Sequence, residues 1–434
     1  MSAADDLLWS LAVPTRAGER PDLERMRRLL FELGDPHHGL PVLHIGGTSG
    51  KGSTATIAAR ILREAGYRVG LHVKPHLEAV EERVVVDGKS IEPARLVALL
   101  DGASAAARKV GPSWYELTVA LAFQHFRAEQ VDVAVVEVGL GGTYDGTNVV
   151  EPRAVVLTNV DLDHVEVLGD TVEKIASDKV GIIKPGVPVV CGTTQDSVRK
   201  IVAARCEAMR APLWALDREL RYRVGELGPD GARFDLDLPE RHLADLRIGL
   251  QGAHQVANAA LAVAAVEALR SSGFSVGETA LRRGLAAVAV PGRLEVARAR
   301  PLVLLDGAHN PAKMTALTEA LRALYPGRPL TGVLAFKRGH DLPQTLAPLA
   351  PMLRRAVFTR FDAATDYGRD QSVDPATVLK TFQALDATAE ATVEPDPIRA
   401  IDDTLERARP DDLICVTGSL YLIGKLRPWL RERR

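Results

Sequence analysis

A short glycine-rich loop with one lysine is the segment of this sequence best suited to chemistry. Glycines let backbone N–H groups approach phosphate oxygens, and the start of a helix adds partial positive charge. A run of apolar residues precedes the loop, a helix-like pattern follows it, and its members are Gly47, Thr48, Ser49, Gly50, Lys51, Gly52 and Ser53. Lys51 can neutralise phosphate charge, and the hydroxyl of Ser53 can reach Mg²⁺. The loop therefore predicts a nucleotide phosphate site; the structural alternative is an ordinary glycine turn.

A second candidate is the carboxylate of Glu137, which ends the apolar run "VDVAVVEVGLGG". The ends of such strands are where α/β sheets present their ligand-binding groups. A carboxylate there can hold the Mg²⁺ of ATP. A structural acid that caps the following glycine loop is an equally good interpretation of this residue alone.

Four more residues are candidates for binding a ligand or for catalysis, because their side chains are ionisable and most of them lie close to the end of a strand. His164 comes just after an apolar strand, and Lys179 lies fifteen residues further on in a helix-like segment. Asp306 and His309 stand at another strand end, in "LLDGAHNPAKM". Single histidines, lysines and capping aspartates are more often structural, so none of the four establishes a site by itself.

The elements that must position these residues alternate between strand-like and helix-like. A chain of 434 residues exceeds the usual size of one core, which predicts two domains. The first is predicted to be a P-loop ATPase-like parallel sheet domain, and "RYRVGELGPDGARFDLDLPE" predicts a small antiparallel addition to it. From "LVLLDGA" onward the alternation starts again and predicts a Rossmann-like second domain. We place the boundary at Pro291-Gly292, giving an α/β protein with domains at residues 1–290 and 291–434.

Composition excludes several classes of partner. The 54 basic and 56 acidic residues balance to a net charge of −2, which favours neither nucleic acid nor an acidic membrane. The three cysteines are scattered, as is typical of the reducing cytoplasm. The amino-terminal residues lack a signal-peptide pattern, and no apolar run reaches the ~18 residues of a membrane span.

Seven stretches, taken together and in order, resemble the folylpolyglutamate synthase/dihydrofolate synthase family of the Mur ligase superfamily. They are "GTSGKGS", "EVGLGG…D…TNVV", "TNVDLDH…LGDT…KIASDKVGIIKPG", "HQVANAA", "GRLEV", "LLDGAHNP" and "VTGSLYL". The resemblance implies an ATP-dependent amide ligase that adds L-glutamate to dihydropteroate, to folates or to both. ATP would convert the acid to an acyl phosphate, which the amine then attacks.

The resemblance also implies roles for individual residues. Lys51 and the loop would hold the triphosphate, with Ser53 and Glu137 at a first Mg²⁺. His164 and a carbamylated Lys179 would serve a second Mg²⁺, and these two and Lys51 would be the catalytic residues. Positions that match the family's adenosine and phosphate contacts are Asn258, Arg293, Asp306 and His309. The resemblance further implies that the active site forms when the domains close and that the chain is a monomer.

Two departures from the family pattern affect the substrate sites. Lys74 in "HVKPHL" replaces a serine that is a Mg²⁺ ligand in the family, and Thr143 replaces an arginine. Lys74 is predicted to contact phosphate or a substrate carboxylate, and His76 and Asp145 are further candidate substrate residues. Three alternatives stay open here: a ligase for another carboxylate and amino acid, a P-loop kinase or NTPase, and a nucleotide-binding paralogue without ligase activity.

Overall fold

The chain forms two compact units, seen in a computed structural model that describes residues 3–14, 19–339, 341–366, 368–385 and 388–433. The first unit comprises residues 1–226, 232–249 and 255–289, and the second comprises residues 227–231, 250–254 and 290–434. Each unit has its own sheet, so each can be built up from its own strands.

An eight-stranded sheet forms the core of the first unit. Its strands are β1 (Val42–Gly46), β2 (Val69–His72), β3 (Val84–Val86), β4 (Lys89–Ser90), β5 (Val133–Glu137), β6 (Pro152–Leu157), β7 (Val189–Cys191) and β8 (Leu213–Ala215), in the order β4-β3-β2-β5-β1-β6-β7-β8. All neighbours from β2 to β8 pair in parallel, and only β3 and β4 run antiparallel to their partners. Every residue of β1 and β5 is buried, as expected for the centre of a parallel sheet.

Ten α-helices of the described residues accompany this sheet. They are α1 (Ala3–Leu11), α2 (Leu23–Glu32), α3 (Lys51–Glu64), α4 (Pro93–Val110), α5 (Trp114–Ala128), α6 (Val165–Leu168), α7 (Val172–Lys179), α8 (Asp196–Met209), α9 (Ala253–Ala268) and α10 (Glu278–Ala286). Helix α10 packs closely on α3, because Gly284 lacks a side chain where an added Cβ would lie 2.7 Å from the Cα of Ile61. This contact supports the helix that begins with Lys51.

A separate three-stranded sheet follows in the chain. It consists of β9 (Arg221–Gly228), β10 (Gly231–Leu238) and β11 (Arg241–Ile248), in the order β11-β10-β9. The antiparallel pairing of β10 with β11 confirms the predicted small antiparallel addition.

The second unit contains a six-stranded sheet and a short antiparallel pair. Its strands are β12 (Glu295–Ala299), β13 (Leu302–Leu305), β14 (Leu330–Leu334), β15 (Leu353–Phe358), β16 (Asp362–Thr365), β17 (Gly368–Gln371), β18 (Glu390–Val393) and β19 (Leu413–Thr417). The sheet order is β12-β13-β19-β14-β15-β18, parallel except for β12. Its helices are α11 (Pro311–Leu324), α12 (Leu342–Leu346), α13 (Pro375–Gln383), α14 (Pro397–Arg407) and α15 (Leu420–Glu432). The predicted Rossmann-like second domain is thereby confirmed.

Helix length and hydropathy also bear on membrane insertion. Within the described residues, none of the helices combines the length and the apolar character that crossing a bilayer requires.

The three cysteines are buried as free thiols.

Candidate functional site

The glycine-rich loop joins the carboxyl end of β1 to the start of α3. Gly47 and Gly50 have positive φ angles of 136° and 82°, which side chains rarely tolerate. An added Cβ on Gly47 would lie 2.0 Å from the Oγ1 of Thr158, and one on Gly50 would lie 2.3 Å from the Oδ1 of Asn258. The loop backbone therefore lies against its neighbours in a way that only glycine permits.

The start of α3 presents several N–H groups that have no partner within the helical ladder. The first bond of the helical ladder runs from the N–H of Thr54 to the carbonyl of Gly50 at 2.9 Å. The N–H groups from Gly50 to Ser53 therefore precede the ladder, and they carry the partial positive charge of the helix start. This arrangement is suited to binding the oxygens of a phosphate.

Two lysine amines meet at one carbonyl oxygen of the loop. The Nζ atoms of Lys51 and Lys179 each donate a hydrogen bond to the oxygen of Gly47, at 3.0 Å in both cases. Burial and then the charge of Lys51 lower the pKa of Lys179 to about 7. Burial also lowers the pKa of Lys51, while the carboxylate of Glu137 opposes that shift. A substantial fraction of Lys179 is therefore neutral at physiological pH.

Glu137 lies beside the same loop. The residue is only 4% exposed, and its Oε2 accepts a hydrogen bond from the backbone N–H of Lys74 at 3.0 Å. An added Cβ on Gly52 would lie 3.2 Å from that oxygen. The carboxylate is thus held against the first turn of α3, which also contains the buried Ser53.

The loop after Glu137 holds the end of α7 and thereby Lys179. Thr143 donates from its backbone N–H and from its hydroxyl to the carbonyl of Asp178, at 3.1 and 2.8 Å. Gly142 lies so close that an added Cβ would be 2.6 Å from the carbonyl oxygen of Lys179. Thr143 thus makes a structural contact with the residue before Lys179.

His164 occupies a different environment from the two lysines. It precedes the first residue of α6 with a φ of 49°, and its side chain is 42% exposed. Its two ring nitrogens lie 3.9 Å from a carboxylate oxygen of Asp163 and 3.7 Å from one of Glu166. The charges around this imidazole are mixed: burial and the charges of Lys74 and Lys51 lower its pKa, while the two carboxylates oppose that shift.

The three candidate substrate residues differ in their surroundings. The ammonium of Lys74 lies 5.5 Å from the centre of the Tyr115 ring. The Nδ1 of His76 accepts a hydrogen bond from the Nε of Arg83 at 3.0 Å.

Asp145 is the third of these residues, and its own loop surrounds it. One oxygen accepts from the N–H of Leu140 at 2.7 Å, and the other accepts from the N–H and hydroxyl of Thr147. These bonds favour a role in shaping the loop over direct contact with a substrate.

The predicted nucleotide contacts fall in both units. Asn258, in α9, donates to the side chain of Gln255 at 3.0 Å. In the second unit, the two oxygens of Asp306 accept the N–H groups of Leu294 and Ala308, each at 2.9 Å.

The other two predicted contacts lie nearby in the second unit. The Nη1 of Arg293 donates to the carbonyl of Gly292 at 3.1 Å. The Nε2 of His309 lies 3.0 Å from the Nζ of Lys313. Together with the bond that Asp306 accepts from Ala308, these contacts hold the loop that leads into α11.

Sequence reasoning missed two residues that support the phosphate loop. Asn159 accepts the N–H of Ser49 on its side chain at 2.7 Å, and Thr158 donates its hydroxyl to the carbonyl of Ser49 at 2.7 Å. Both directly follow β6, which pairs with β1. Their position after a buried strand was the available signal, and it is the same signal that identified Glu137.

Two regions of the chain match models of known protein domains. Residues 45–266 match the Mur ligase middle domain, and residues 292–420 match the Mur ligase, glutamate ligase domain. The first match covers the glycine-rich loop, and the second covers β13, the strand that Asp306 directly follows.

Relatives match along nearly the whole chain. The chain is 32% identical to the dihydrofolate synthase/folylpolyglutamate synthase of Bacillus subtilis, over 95% of this chain and 96% of that protein. It is 33% identical to the folylpolyglutamate synthase of Lacticaseibacillus casei, over 96% of both chains. Among solved structures, Escherichia coli FolC in complex with DHPP and ADP superimposes with a TM-score of 0.88 at 27% identity, covering 100% of this chain and 99% of that one.

The contact between Gly142 and Lys179 predicts a position-specific cost. Gly142→Ala should lower the free energy of unfolding by about 1–3 kcal/mol, because the new methyl group overlaps backbone atoms that cannot rotate away. Gly102→Ala is the matched control: it lies on an exposed part of α4 with open space around the added methyl, so it should leave stability unchanged or gain up to ~1 kcal/mol. Denaturant unfolding of both variants measures this, and equal stabilities would refute the close contact.

Proposed function

This chain belongs to the folylpolyglutamate synthase/dihydrofolate synthase family of Mur ligases, and from that premise we propose that it joins L-glutamate to dihydropteroate, to folates or to both. It is an ATP-dependent ligase that forms a carbon–nitrogen bond. The γ-phosphoryl group passes to the acid to give an acyl phosphate and ADP. The glutamate amine then attacks the carbonyl carbon, and phosphate leaves as the amide forms.

The observation that carries the proposal is the meeting of Lys51 and Lys179 at the Gly47 carbonyl, beside the N–H groups that precede the helical ladder of α3. We assign phosphate binding to the N–H groups from Gly50 to Ser53 and to the amine of Lys51. On binding, Lys51 exchanges its bonds to the carbonyls of Gly47 and Thr48 for phosphate oxygens. A charged donor contacting phosphate makes a stronger hydrogen bond than it makes with a carbonyl.

The residues present fit magnesium, which the proposal requires. A buried carboxylate at Glu137 and a hydroxyl at Ser53 lie at the same helix start and offer the oxygen ligands that Mg²⁺ prefers. We assign His164 and a carbamylated Lys179 to a second ion. When bound, Mg²⁺ neutralises charge on the phosphates and on the acyl phosphate.

The environment of Lys179 supports its proposed carbamylation. The lone pair of a neutral amine attacks the carbon of CO₂, a C–N bond forms, and a proton leaves to solvent. With a pKa of about 7, Lys179 has the neutral amine that this step needs. The product is an anion, so the repulsion between Lys179 and the Lys51 ammonium becomes an attraction.

The remaining assignments rest on the family pattern. Asn258, Arg293 and His309 are assigned to the nucleotide, and Asp306 to positioning the loop before His309. The proposal also takes the enzyme to be a cytoplasmic monomer that acts on small molecules, in keeping with its free thiols.

A phosphate-release assay on the full chain tests the proposed reaction. Phosphate should appear only when ATP, L-glutamate and dihydropteroate or a folate are all present. Turnover with a hydroxyl acceptor and no amine would instead mean a kinase, and ATP binding without turnover would mean a non-catalytic paralogue. Activity that requires another acid or amino acid would keep the ligase chemistry and overturn the substrates.

Lys51→Ala should lower kcat/KM by at least ~10²-fold, because it removes the lysine of the phosphate loop. Lys174→Ala, an exposed lysine paired with Asp170, serves as the control and should behave as the wild type. Steady-state kinetics with varied ATP measures the effect. Near-normal ligation by Lys51→Ala would rule out this loop as the phosphate site.

Lys179→Ala should likewise lower kcat by at least ~10²-fold, because the second ion loses an anionic ligand. Short carboxylates such as formate should partly restore kcat by occupying the vacated position. Lys174→Ala lies on the same helix, and formate should not stimulate it. A fully active Lys179→Ala variant would show that the amine has no catalytic role.

A further inference from the structure

A group of potential metal ligands lies in the turn between α2 and β1. Asp35, His37 and His38 each offer one ligand atom, and the three atoms lie within 4.8 Å of one another. None of these residues belongs to the phosphate loop or to the groups assigned above. The cluster is thus a candidate for a separate function.

The position of the turn separates it from the phosphate site. The turn precedes the amino end of β1, whereas the phosphate loop follows its carboxyl end at Gly46. A strand of five residues is roughly 16 Å long. A metal ion bound at the turn therefore cannot also contact the glycine-rich loop.

His37 has an unsatisfied ring nitrogen. The residue is only 8% exposed, and its Nδ1 makes no hydrogen bond within the described part of the chain. Burying a polar atom without a partner is unfavourable, so a ligand for this imidazole would remove a cost. Burial, followed by the neighbouring His38, lowers the pKa of His37 to about 4. The ring is therefore neutral near pH 7, which is the form that binds metals.

The backbone holds the three side chains together. The N–H of His38 donates to the carbonyl of Asp35 at 3.1 Å, and the N–H of Asp35 donates to Leu30 at 2.8 Å. Asp35 has a φ of 50°, which turns the chain sharply at the end of α2. The ligand atoms are thus gathered before any ion arrives.

The surrounding charges are mixed. The carboxylates of Asp35 and Glu151 both act on His37 and favour a cation. Arg127 opposes this, but its guanidinium is engaged with the carbonyl of His38 at 3.0 Å. The side chains of His38 and Asp35 are 68% and 33% exposed, so solvent reaches the cluster.

We propose that Asp35, His37 and His38 bind a divalent transition metal ion, with Zn²⁺ as the best match. Two imidazoles and one carboxylate suit Zn²⁺, whereas Mg²⁺ prefers oxygen ligands. Three protein ligands leave a fourth position for water or another donor. The ion would bridge three residues of the turn that joins α2 to β1, and an ion that binds only the folded chain stabilises it.

Isothermal titration of the metal-free, nucleotide-free full chain with Zn²⁺ tests this proposal. We expect one high-affinity ion per chain and a higher melting temperature with Zn²⁺. His38→Ala and Asp35→Asn should each weaken that affinity by at least tenfold and remove the shift. These two residues are partly exposed, so their variants should fold even if His37→Ala does not.

Two control variants make the result specific. His242→Ala removes a histidine from an exposed pair with Asp237, where the Nδ1–Oδ1 distance is 2.6 Å. His164→Ala removes a proposed ligand of the catalytic ions. Wild-type Zn²⁺ affinity in both controls supports the proposal. It is overturned if Asp35→Asn and His38→Ala keep the affinity, or if only His164→Ala loses it.

Discussion

The amines of Lys51 and of the buried Lys179 share one carbonyl oxygen, and the proposed chemistry of this protein depends on that contact. Lys51 and Lys179 both donate to Gly47, which brings two potential positive charges together away from water. Their repulsion adds to the effect of burial and leaves Lys179 with a pKa of about 7. In the proposed mechanism, this repulsion is relieved when Lys179 loses its proton or gains a carboxylate and when Lys51 binds phosphate.

The sheet order brings the contributing segments to this point. Strands β2, β5, β1 and β6 are consecutive and parallel, so their carboxyl ends meet at one edge. In that order across the sheet, Lys74 follows β2, Glu137 is the last residue of β5, the glycine-rich loop follows β1 and Asn159 follows β6. Gly142 and Thr143 contact the end of α7, and these contacts hold Lys179 against the glycine-rich loop. Rigid elements thus set the distances on which the pKa values depend.

Local features of the sequence were enough to predict much of this arrangement. Apolar runs, glycines and a lone lysine predicted that the loop joins a buried strand to a helix start, and the position of Glu137 predicted a carboxylate at the end of a neighbouring strand. The meeting of Lys51 with Lys179 could not be predicted, because it depends on how α7 docks on a loop 132 residues earlier in the chain. Asp145 illustrates the same limit: its type suits a substrate contact, but backbone donors of its own loop occupy both oxygens.

The most direct test of the account is ¹³C NMR of the full chain equilibrated with ¹³C-bicarbonate near neutral pH. The account predicts a carbamate resonance in the wild type that is absent in Lys179→Arg. The resonance should remain in Lys184→Arg, which removes another lysine whose pKa burial lowers. A fully active wild-type protein without a carbamate resonance, or a resonance that survives Lys179→Arg, would contradict the account.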